Sequence, residues 1–110
     1  MLGWLRRRAW LSTVGADFED KYGVNIYRLA QAAVGAETAK LICEMLWHEP
    51  LFLQNPLLAG EELARILEQG ENVPVNKMIS DAQSELMRQG KWEREITTVR
   101  FPDPFVAAKA

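Results

Sequence analysis

His48 is the only histidine of the chain, with Glu44 one helical turn before it and Glu49 directly after it. A Glu/His pair spaced i,i+4 is a fragment of the helix motif that holds di-metal centres, but such centres draw further carboxylates from neighbouring helices. Closure of a metal site takes about four ligands, so this fragment reads as part of a polar stripe near a helix C-terminus rather than as a metal site. Cys43 is the only cysteine. It stands five residues before His48, which puts the two side chains on different helix faces and argues against a Cys/His nucleophile. Ser-His-Asp sets, glycine-rich phosphate loops and paired catalytic carboxylates do not stand out. Ser80-Asp81 and Thr97-Thr98 fit a helix surface and an extended segment. No catalytic residue, metal ligand or cofactor is assigned, and the expected class is a non-enzymatic binding protein.

Arg6-Arg7-Arg8 is the one concentrated charge. It would suit an acidic partner, nucleic acid or anionic lipid, although three consecutive arginines fan around a helix instead of forming one patch. Trp4 and Trp10 flank it, and Trp and Arg are the types most enriched at protein-binding hot spots. Phe101 and Phe105 lie far along the chain, held apart by Pro102-Asp103-Pro104. The candidate partner-binding residues are therefore Trp4, Arg6, Arg7, Arg8, Trp10, Phe101 and Phe105. Phe52 and Trp92 are expected to cap the core instead.

Helices must position these residues. From Ala36 to His48, the polar residues Glu37, Lys40, Glu44 and His48 step by three and four, forming one solvated stripe on an apolar helix. Lys40 and Glu44 are spaced to pair. Leu41, Ile42, Cys43, Met45, Leu46 and Trp47 cover the remaining circumference, so this segment is expected to be the central helix. Residues 1–14 suit an amphipathic helix, and Asp17 to Tyr22 a short capped turn, with Gly23 in the left-handed position after it. Asn25 is the expected N-cap of a helix from Ile26 to Val34, which Gly35 separates from the next. Leu51 to Leu58 reads as an apolar loop between Pro50 and Asn55-Pro56. Glu61 to Gln69 and Val75 to Gln89 complete the set, each followed by glycine.

The expectation is an all-α fold. It is a small bundle of about five helices over residues 1–94, with an extended, non-helical C-terminal arm over 95–110. Ile96 to Val99 favour extended backbone, and the two prolines of Phe101-Pro102-Asp103-Pro104-Phe105 forbid helix. The 110 residues carry 13 Lys+Arg against 15 Asp+Glu and are 48% hydrophobic, which excludes a disordered chain and disfavours a specific nucleic-acid binder. The lone cysteine suits a reducing, cytoplasmic setting. No apolar run reaches the ~20 residues of a membrane span, and the arginines come after the first apolar residues, unlike a secretory signal.

The stretch Asp17 to Leu58 resembles the tail assembly chaperones of long-tailed bacteriophages. An acidic aromatic turn ending in Tyr-Gly (DFEDKYG) leads to a short helix, Ile26 to Ala33. A hydrophobic helix then closes on Leu46-Trp47-His48-Glu49-Pro50. The resemblance implies a protein, resident in the host cytoplasm, that binds the long, apolar, helical tape measure protein during tail assembly, with several copies acting along one client. Two other readings stay open. One is a small structural adaptor docking on neighbouring subunits, or on a second copy of itself, through the C-terminal arm. The other is an inhibitor of a host protein.

Overall fold

The computed structural model describes residues 2–70 and 73–95, with side chains from Arg6 onward. The fold is all-α. Among the described residues six helices follow one another: α1 (Leu2–Tyr22), α2 (Ile26–Val34), α3 (Ala36–Trp47), α4 (Pro50–Gln54), α5 (Pro56–Gly70) and α6 (Val75–Arg88). Glu95 is non-helical, and the rest of the expected arm lies outside the described residues.

Helix α1 runs unbroken through the point where a break at residue 14 and a separate turn from Asp17 were expected. Trp10, Val14, Phe18 and Tyr22 step by four and are all buried, so one continuous apolar ridge spans both segments. Gly15 is interior to the helix, and its lack of a side chain has a packing reason. A Cβ there would lie 2.5 Å from Asn25 Nδ2 and 2.6 Å from Asn25 Oδ1. Asn25 caps α2 as its residue type predicts, its Oδ1 accepting from Tyr27 N at 3.1 Å and Arg28 N at 3.2 Å. Gly15→Ala therefore sets a helix-propensity gain of about 1 kcal/mol against a displaced cap worth about 1 kcal/mol plus the clash. The expected net loss is about 1 kcal/mol in the native chain, turning into a gain of about 1 kcal/mol in an Asn25→Gly background where the obstacle is gone. Urea titration of the four-member cycle reads the change of sign.

Gly23 ends α1 at φ 82°, with its N–H donating to Glu19 O at 2.7 Å. The helix's last carbonyls are closed from the far end of the chain. Gln83 Nε2 donates to Tyr22 O at 2.5 Å, and Arg94 Nη1 donates to Lys21 O at 3.2 Å.

The central helix is α5, not α3. It packs against each of the other five helices and buries Ala59, Gly60, Leu63, Ala64 and Leu67 together with Glu61 and Glu62. Helix α3 buries only Ala39, Cys43 and Leu46, spaced i, i+4, i+7, while Leu41 is 60% and Met45 71% exposed. A single-stripe helix at the edge of the bundle has room for no more.

The segment expected as a loop, Leu51 to Leu58, is helical on both sides of Asn55. Pro50 and Pro56 are each the first residue of a helix, where a missing N–H costs nothing because that donor has no intrahelical acceptor. The apolar content of this stretch follows: Phe52 is buried, and Leu51, Leu57 and Leu58 pack against the core. The helix expected to begin at Glu61 begins at Pro56 instead.

Candidate functional site

The residues singled out around the N-terminal arginines do not converge on one surface. Trp10 belongs to the core. It is 6% exposed, its Nε1–H donates to Phe52 O at 3.1 Å, and its ring meets Trp47 edge-to-face at 5.4 Å. Its place on the inward ridge of α1, every fourth residue from Tyr22, leaves no ring face for a partner. Arg7 lies half-buried over Trp47, 5.8 Å from the ring centroid, and pairs with Glu44 Oε1 at 3.2 Å. Glu44 reaches α1 in this way instead of Lys40. Arg6 is exposed. Arg8 borders a shallow depression with Leu11, Tyr27, Arg28 and Gln31. The three arginines thus point in different directions, as consecutive helical residues must. The side chains of Trp4, Phe101 and Phe105 lie outside the described residues.

His48 is exposed at the C-cap of α3, and Cys43 is buried on the inward face of the same helix. Burial pushes the Cys43 thiol up to about 12, opposite to the shift that makes a nucleophilic thiolate. Among the described residues, no three His, Cys, Asp or Glu side chains cluster in a way that could hold a metal ion. No described helix is long and apolar enough to cross a membrane.

Two apolar features were not visible from the sequence. The first is the exposed pair Leu41 and Met45, one turn apart on the outer face of α3. The second is a groove of about 550 Å³ between α2 and α6. Both helices pack on α5 and at most slightly on each other, which leaves the space between them open. Val24, Leu29, Ala32, Met78, Ala82 and Leu86 supply its apolar walls, and Glu19, Arg28 and Glu85 stand at its rim. The groove could have been found only by pairing the outward edges of two helices distant in sequence, for which the sequence carries no local signal.

The segment after α6 is fastened beside this groove. Trp92 lies over Gly23, where a Cβ would come within 3.1 Å of the indole, and Arg94 stacks on the same ring at 5.2 Å. Gly23 is thus required twice, by its left-handed backbone and by the ring on top of it. Trp92 is half-buried, as a capping role predicts, and Phe52 is fully in the core.

What this arrangement can do is bind apolar surface, with charges at the rim to orient it. No protein-family model, no curated protein and no solved structure matches this chain.

Proposed function

We propose that this protein is a non-enzymatic binder of an apolar helical client, acting as a phage tail assembly chaperone on the tape measure protein. The observation that carries the reading is the groove between α2 and α6. Its walls are apolar and its rim bears both signs of charge, which fits the helix-in-groove mode, in which apolar side chains at helical spacing enter and polar flanks stay wet. A client that is long, helical and apolar presents such a stripe many times. Weak contacts at one groove then add up when several copies decorate one chain. The resemblance of Asp17 to Leu58 to the tail assembly chaperones points to the same client class.

The test is co-expression with the tape measure protein and measurement of that client's soluble fraction. Ala82 is half-buried in the groove wall, so Ala82→Glu places a charge where a client's apolar side chain would sit. The expected result is loss of most of the solubilising effect in Ala82→Glu. Ser84→Glu, which adds the same charge on the exposed face of α6, should keep it. A client equally insoluble with and without the native protein removes the proposal.

A further inference from the structure

We infer that the outer face of α3 is a self-complementary surface on which a second copy of this chain docks in antiparallel register. Leu41 and Met45 form an exposed apolar ridge on a helix whose other side is packed into the bundle. A lone exposed pair would say nothing about its occupant. The charges beside it do. Along one flank of the ridge the residues run Glu37, Lys40, Glu44, His48, so that acidic and basic types alternate at helical spacing.

Turning a second α3 end over end, about a twofold axis near Ile42 and Cys43, reverses this order. Leu41 then lies over Met45 of the second copy, Lys40 over its Glu44, and Glu37 over its His48. Every contact occurs twice, as an isologous pairing requires. The charged flanks meet the way paired helices use them to choose partner and direction. In a parallel twofold pair the stripes of the two copies fall on opposite sides of the seam, so their alternating charges meet each other only in the antiparallel arrangement. Glu44 keeps one carboxylate oxygen on Arg7 while the pair stays about one-third exposed, so the carboxylate remains reachable from outside.

The helix is 12 residues long, so the shared seam runs about 18 Å. An interface of one helix face falls below the ~1,200 Å² of standard stable complexes, so the pairing is expected to be weak and concentration-dependent. It is also separate from the α2/α6 groove, which stays open in the pair to bind a client.

Light scattering and sedimentation over a concentration series up to about 1 mM read the association directly. The expected result for the native chain is a mass rising from 12.5 kDa towards twice that value. Leu41→Lys and Met45→Glu, both at exposed positions, should each weaken it at least about tenfold while leaving the circular dichroism unchanged. Charge reversal gives the sharper arm. Lys40→Glu alone and Glu44→Lys alone should each stay monomeric, and an equimolar mixture of the two should regain the pair. Should Glu44→Lys fail to fold without its Arg7 contact, Leu41→Lys and Lys40→Glu still decide the matter. A native chain that stays at 12.5 kDa throughout overturns the inference. So does a dimer indifferent to Leu41 and Lys40, which would use another face. Binding of a client helix to the Leu41–Met45 ridge of a chain that remains monomeric also overturns it.

Discussion

Trp10→Ala is expected to lower the folding free energy by about 3–5 kcal/mol, the range for deleting a large buried aromatic side chain. That is a large share of the roughly 5–15 kcal/mol a domain of this size has available. Three losses combine. The indole leaves the gap between α1, α3 and α4, its edge-to-face contact with Trp47 disappears, and Phe52 O loses the N–H that reaches it at 3.1 Å. Trp10→Phe keeps much of the ring volume and gives up the hydrogen bond, so about 1–2 kcal/mol is the expected cost. Arg6→Ala, one turn earlier at an exposed position, should stay within about 0.5 kcal/mol of the native chain. Thermal and urea unfolding separate these outcomes, since 1 kcal/mol moves the midpoint of a small domain by about 4–8 °C. Native-like stability in Trp10→Ala would mean that the core does not hold this indole and that it serves a partner contact instead. A loss of client binding in an unfolded Trp10→Ala chain would say nothing about contact.

The contrast between Trp10 and its neighbours shows which parts of this fold are written locally. Asn25, Gly23 and Gly35 were legible because a cap or a left-handed turn is a bargain between a residue and the backbone within four positions of it. The boundaries of α2 and of α3's start follow from them. Burial is a different matter. Leu41 and Met45 look as apolar as Cys43 and Leu46, and only the neighbouring helices decide which stripe of α3 faces inward. Apolar composition therefore points to α3 as the central helix, while α5 holds that place with two buried glutamates on it. The prolines misled for a related reason. Pro50 and Pro56 break a helix that precedes them but start one equally well, and composition alone does not say which. The groove between α2 and α6 joins Leu29 to Ala82 across more than fifty residues, and no spacing rule reaches that far.

Glu61 carries the second large effect. It sits on the central helix almost without solvent, accepts the Tyr22 hydroxyl at short range, and takes Lys21 Nζ at 3.2 Å. Lys21 is half in water and contributes little, so the phenol is the main partner of a buried carboxylate. Tyr22→Phe should cost about 1.5–3 kcal/mol, the value of a hydrogen bond to a charged group. The double variant Tyr22→Phe, Glu61→Leu should recover most of that loss, because a matched apolar pair needs no partner where a lone buried carboxylate does. A double variant less stable than Tyr22→Phe would show that Glu61 does more than answer Tyr22. The pH response has a definite sign. Burial, with the Glu61 carboxylate beside it, holds the Tyr22 hydroxyl protonated well above the ordinary tyrosine range. Burial does the same to the Cys43 thiol, pushed up to about 12. Both groups are neutral in folded and unfolded chains below about pH 8, so their contribution is fully present there. As pH rises past about 9 for cysteine and about 10 for tyrosine, the unfolded chain ionises first and stability falls. Urea midpoints should therefore be level towards neutral pH and drop from about pH 9 upwards, more shallowly in Cys43→Ala and in Tyr22→Phe than in the native chain. A native midpoint that stays constant to about pH 11 would mean that neither group is as shielded from water as its burial implies.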